Sequence, residues 1–121
     1  MTCHLVAYKL HYSHMIEIFR YQTEDGKEPL TEWLQSLPNK QAQAKFRTRL
    51  KRLESGNFGD CDPVGEGVQE LREHLGAGYR VYFGRHGLTV VILLCGGSKK
   101  SQPADIKTAK QYWEDWKRRQ V

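Results

Sequence analysis

The chain has 121 residues, with 19 Lys+Arg against 14 Asp+Glu and a formal net charge of +5. At 39% hydrophobic and 27% charged residues it reads as one globular domain, and no apolar run nears the roughly 20 residues that span a bilayer. The three cysteines, Cys3, Cys61 and Cys95, are odd in number and widely spaced, which excludes a disulfide framework or zinc knuckle and suits a reduced, cytoplasmic setting.

Residues 1–14 stand apart as an N-terminal extension, and Met15 begins a cleaner pattern. His4, His11 and His14 lie there without a supporting carboxylate, so no metal site is expected. Ile16 to Tyr21 alternates in β-favouring residues and reads as a strand buried on both faces. Asp25-Gly26 marks a turn. Pro29 opens a helix whose stripe is Leu30, Trp33, Leu34 and Leu37, and Pro38 stops it. Asn39 caps a second helix that runs to about Ser55, with Ala42, Phe46, Leu50 and Leu53 on its apolar side. Its other faces carry Lys40, Lys45, Arg47, Arg49, Lys51 and Arg52 against Glu54 alone. The two helices make a hairpin.

Residues 56–67 read as a glycine-rich loop with an acidic patch of Asp60, Asp62 and Glu66. Three strands follow. Val68 to Leu75 sets Leu71 and Leu75 against Glu70, Arg72 and His74. Tyr79 to Phe83 sets Tyr79, Val81 and Phe83 against Arg80 and Tyr82, and Leu88 to Cys95 is apolar enough for a central strand covered on both faces. A last helix begins at Pro103, with Ile106, Ala109, Trp113 and Trp116 as its stripe and Lys117, Arg118 and Arg119 near its end. The order strand, helical hairpin, three strands, helix implies a single α+β domain over 15–121, with helices on a small antiparallel sheet.

Strand parity is the most informative local result. If Leu71, Leu75, Val81 and Phe83 point into the core, then Glu70, Arg72, His74, Arg80 and Tyr82 share the opposite face. Lys99 and Lys100 arrive from the end of the third strand. Cations, a tyrosine, a histidine and a glutamate suit cleavage of RNA by its own 2′-hydroxyl. That reaction needs a base, an acid and cations on the phosphate, and no metal or other cofactor. The structural alternative is a solvated sheet face with ordinary ion pairs.

These residues also carry a resemblance. Glu70-Leu71-Arg72, Gly78-Tyr79-Arg80-Val81-Tyr82-Phe83, Leu93-Leu94-Cys95-Gly96-Gly97-Ser98-Lys99-Lys100-Ser101-Gln102, Asp105-Ile106 and Ala109 resemble the RelE/ParE toxin superfamily. Trp33-Leu34, Arg49 to Leu53 and Gly56 to Asp60 resemble its phage-derived, HigB-like addiction-module killer-protein branch. The likeness runs from Ile16 to Trp113.

It implies a microbial-ribonuclease-like fold and the toxin of a type II toxin–antitoxin module. The cognate antitoxin, often a helix-turn-helix protein, would be one partner. The ribosome with its messenger RNA would be the other for a RelE-like endonuclease. ParE-like members instead inhibit DNA gyrase, and a prophage remnant that mainly binds its antitoxin is a third possibility.

By resemblance, Arg80 matches an arginine at the scissile phosphate, and Lys99 and Lys100 match a basic pair after the last strand. RelE's two lysines, one a proposed base, fall at Val68 and Glu70, and its C-terminal tyrosine falls at Ile106. Glu70 or His74 is left as the replacement base and Tyr82 as a donor. Lys45, Arg47, Arg49, Lys51, Arg52, Arg85, Lys117, Arg118 and Arg119 are the candidate nucleic-acid contacts, and their sum predicts salt-sensitive binding.

Overall fold

A computed structural model of the chain describes residues 15–74 and 76–120. The histidines of the N-terminal extension and the placement of Leu75 beside Leu71 lie outside the described residues.

The α+β class is as expected. Strand β1 (Glu17–Arg20) leads to helices α1 (Pro29–Ser36) and α2 (Lys40–Leu53). Strands β2 (Cys61–Gly65), β3 (Val68–Glu73), β4 (Tyr79–His86) and β5 (Val90–Gly97) follow. A short 3₁₀ turn (Lys99–Ser101) then feeds helix α3 (Gln102–Arg118). Pro29 sits in the first turn of α1, where its missing N–H costs nothing. Asn39 accepts from the N–H groups of Gln41 and Ala42 at 2.9 and 3.2 Å, satisfying two orphan donors of α2.

The sheet differs from expectation in three respects. First, it has five strands in the order β1-β5-β4-β3-β2, because residues 61–65 form an edge strand inside the stretch read as loop. Pro63 and the flanking glycines disguise that strand; an edge tolerates proline because one side of its backbone needs no partner. Second, the sheet is mixed: β1 runs parallel to β5, while β2–β3, β3–β4 and β4–β5 are antiparallel. Third, β1 is an edge strand rather than one buried on both faces. Glu17, Phe19 and Arg20 are exposed, and burial falls instead on the flanking Ile16 and Tyr21.

Both broad faces of the sheet are covered. On one, Leu71, Val81, Phe83, Val91 and Leu93 pack against Leu30, Leu34, Phe46, Leu50 and Leu53 of the helical hairpin. On the other, Val68, Tyr82, Ile92, Leu94 and Cys95 pack against Ala109 and Trp113 of α3. The face expected to carry open polar residues is therefore largely a second core, and only its end stays polar.

Two glycines set how closely the layers approach. A Cβ on Gly96 would overlap the Trp33 ring, and one on Gly84 would overlap the Trp113 ring. Each tryptophan lies flat against a strand because the residue beneath it has no side chain. Gly84→Ala and Gly96→Ala should each lower unfolding stability by about 1–3 kcal/mol through overpacking. Leu88→Ala, at a side chain 85% exposed, should stay within about 0.5 kcal/mol. Chemical denaturation of the three variants checks this.

Candidate functional site

The candidate site forms where β3 ends, β4 begins and β5 ends. Register places Arg72 opposite Arg80, Glu70 opposite Tyr82, and Arg80 opposite Gly97. Parity alone thus brings Glu70, Arg72, Arg80 and Tyr82 together, as the alternation predicts. The turns on either side are tied as well. The Lys99 N–H donates to the Ala77 carbonyl at 3.3 Å, and a Cβ on Gly78 would stand 3.3 Å from the Lys99 Cβ.

Arg72 is the hub. It donates to Asp60 Oδ1 and Asp62 Oδ2, each at 2.6 Å, and to Glu70 Oε2 at 3.2 Å. The hydrogen bonds it donates to Asp60 and then Asp62 hold its guanidinium even further above the ordinary arginine range. Three carboxylates on one guanidinium leave Arg72 no fork for a phosphate.

His74 is exposed and its Nε2 lies 2.8 Å from Asp60 Oδ2, so Nδ1 points elsewhere. Asp60 is pulled down to about 2, chiefly by its hydrogen bond from Arg72 and next by that to His74. A carboxylate fixed in its charged form beside an imidazole accepts the Nε2–H, orients the ring, and leaves Nδ1 of the neutral ring without a proton.

Glu70 is buried. Its Oε1 accepts from Gln102 Nε2 at 2.7 Å and lies 2.8 Å from Arg80 Nε. Arg80 also donates through Nη1 to the Gly78 carbonyl at 2.7 Å. Tyr82 is wholly buried and its hydroxyl has no hydrogen-bond partner among the described residues. Burial, then the nearby Glu70 and Asp105 carboxylates, push that phenol up, so it keeps its proton. Tyr82 is therefore not a donor within reach of a bound substrate. Lys99 and Lys100 are exposed at the rim.

The remaining candidates divide by whether their charge is already engaged. Lys45, Arg47, Lys51 and Arg52 are exposed on α2 and make no ion pair among the described residues. Arg49 is different. It donates to the carbonyls of Arg72, Phe58 and Asp60 and faces Glu73 at 3.9 Å, so it pins the loop before β2. Arg85 stacks over Phe58 at 4.5 Å near the far end of β4, about 16 Å along the strand from Arg80. Lys117 pairs with Glu114, and Arg118 and Arg119 both pair with Asp115. Among the described residues no three His, Cys, Asp or Glu side chains gather to hold a metal.

Asp60, Asp62 and Gln102 are the site residues that sequence reasoning passes over. The two aspartates stand two apart, the strand period, with Asp62 opposite Glu70 and Asp60 level with Arg72. That signal is visible only once 61–65 is read as a strand. Gln102 ends the resembling run that carries Lys99 and Lys100 and is placed by the turn before α3, but the resemblance assigns it no role.

A family sequence model described as "Phage derived protein Gp49-like (DUF891)" matches residues 32–119. A protein of Haemophilus influenzae, described only as uncharacterized, is 53% identical over 78 residues, which cover 64% of this chain and 79% of that relative.

The lowered Asp60 has a consequence for acid stability. A carboxylate held near 2 in the folded chain and near about 3.9 when unfolded stabilises fully above the higher value. That contribution is lost as pH falls through the lower one. Between pH 4 and pH 2, Asp60→Asn should therefore lose stability less steeply than the wild type, as measured by urea unfolding across that range.

Proposed function

Because this chain belongs to the Gp49-like family of phage-derived proteins, we propose that it is the toxin of a type II toxin–antitoxin module and cleaves messenger RNA on the ribosome. The family is one of toxin–antitoxin-associated proteins, which supports a cognate antitoxin as partner. The RelE/ParE resemblance supports the nuclease reading within it. The observation that carries the chemistry is the His74–Asp60 dyad at 2.8 Å, exposed at the same sheet end as Arg80, Lys99 and Lys100.

On this reading His74 takes the proton of a 2′-hydroxyl, and the Asp60 carboxylate stabilises the imidazolium that forms. The 2′-oxygen then attacks the adjacent phosphorus and the bond to the 5′-oxygen breaks. Arg80, with Lys99 beside it, offsets the charge that builds on the non-bridging oxygens. Lys99 and Lys100 are the exposed donors left for the departing 5′-oxygen. A requirement for the 2′-hydroxyl selects RNA over DNA. Lys45, Arg47, Lys51 and Arg52 supply the unpaired charge for docking on ribosomal RNA, a role the acid-paired Lys117, Arg118 and Arg119 fill less well.

A second reading, inhibition of DNA gyrase without chemistry, is favoured by Val68 and Ile106. The first is buried and the second half-buried, where RelE-type enzymes carry a lysine and a tyrosine.

Transcript-end mapping after induced expression separates the two. Cuts within translated messages support the nuclease; intact messages with blocked supercoiling favour the inhibitor. On purified translating ribosomes, His74→Ala and Arg80→Ala should each slow cutting by about 100-fold or more, with Asp60→Asn weaker. Lys107→Ala should cut like the wild type. Equal cutting by the His74 and Arg80 variants would remove the proposed site.

A further inference from the structure

Glu70 is the one charged side chain buried among the described residues, at 4% exposure. A carboxylate so placed persists only if its oxygens are paired. Both are. Oε1 accepts a hydrogen bond from Gln102 at 2.7 Å and makes an ion pair with Arg80, whose Nε lies 2.8 Å away without hydrogen-bond geometry, and Oε2 accepts from Arg72 at 3.2 Å. No oxygen is left to receive a substrate proton, so Glu70 is not the general base that its position on the strand suggests.

Its contacts give it a different task. Arg80 is held along its inner edge by Glu70 and through Nη1 by the Gly78 carbonyl. Its remaining terminal nitrogen, Nη2, has no partner among the described residues and is the one free for a ligand. Gln102 is the first residue of α3 and directly follows the turn that carries Lys99 and Lys100. Its hydrogen bond to Glu70 spans 32 positions and fastens that turn to β3.

We propose that Glu70 and Gln102 are a positioning pair, which aims Arg80 outward and fixes the Lys99–Lys100 turn beside it. A rigid guanidinium is worth more to a transition state than a mobile one, because no reorganisation remains at the moment of reaction. The catalytic part of this inference rests on the messenger-RNA cleavage reading; the geometric part does not.

The test exchanges the two partners. Glu70→Gln and Gln102→Glu are made singly and together, with Gln102→Ala as a milder variant should Glu70→Gln fail to fold. In cleavage assays on translating ribosomes, each single variant should lower kcat by about 100-fold, the usual cost of a small misplacement, with KM little changed. The double variant restores one carboxylate and one amide across the same contact and should recover to within about tenfold of wild type. A general base at Glu70 predicts no such recovery, and that result overturns the proposal. So does a wild-type kcat in every single variant.

The geometric part is read without substrate. The Arg80 Nε–H, buried in its ion pair with Glu70, should exchange slowly in nitrogen-15 NMR of the wild type and the double variant, and rapidly in the singles, where the guanidinium loosens. If the wild type cuts no message, the nuclease reading fails, and the NMR comparison still decides the positioning pair. Uniform fast exchange in all of them refutes it.

Discussion

The architecture depends on the contact between a tryptophan and a bare strand backbone, made once on each side of the sheet. Trp33 lies on Gly96 and Trp113 lies on Gly84. Both glycines belong to the two central antiparallel strands, β5 and β4. The helical hairpin and α3 can therefore seat close to the same pair of strands from opposite directions. Around these two contacts the apolar residues sort themselves. Trp33 also meets Phe46 and Tyr79 edge-on at 5.6 and 5.9 Å, and Trp113 stacks on Trp116 at 5.2 Å. Such aromatic pairs add to the area they bury. The sheet end that bears Glu70, Arg80 and Lys99 is held in place between these two cores.

Much of this was legible in the sequence, for specific reasons. The α1 and α2 stripes sit on the helical period, and Pro29, Pro38 and Asn39 punctuate them, so the hairpin was readable. Parity on β3 and β4 gave the convergence of Glu70, Arg72, Arg80 and Tyr82. What parity cannot give is the third dimension. Nothing in the alternation says that α3 returns over that face, so the burial of Glu70 and Tyr82 was invisible. The β2 strand was hidden by Pro63 and two glycines, and with it went Asp60 and Asp62. β1 was legible as a strand but not as an edge. Its mixed burial follows from its parallel partner, which lies far along the chain.

The net charge of +5 is also redistributed by the fold. Counted along the chain, cations crowd α2 and the C-terminal segment alike. Counted by partner, the two differ. The C-terminal cations face Glu114 and Asp115, with Arg119 also stacked on Tyr21 at 5.4 Å. Arg72 and Arg49 are spent on holding loops and strand ends. Among the described residues, the largest group of cations without an acid partner lies on α2, with Lys99 and Lys100 on the 3₁₀ turn and Lys107 and Lys110 on α3. A field focused in this way steers an encounter better than the same charge spread evenly.

The parallel pairing of β1 with β5 joins Glu17 to Val90 and Arg20 to Leu93. Every other strand pair joins near neighbours in sequence. Closing so long a stretch of chain adds an entropic cost that local hairpins do not carry, and topologies with such closures fold more slowly. Contact separation therefore favours formation of the β3–β4–β5 meander ahead of the docking of β1. The strand that stands first in chain order is thus secured by the strand that stands last.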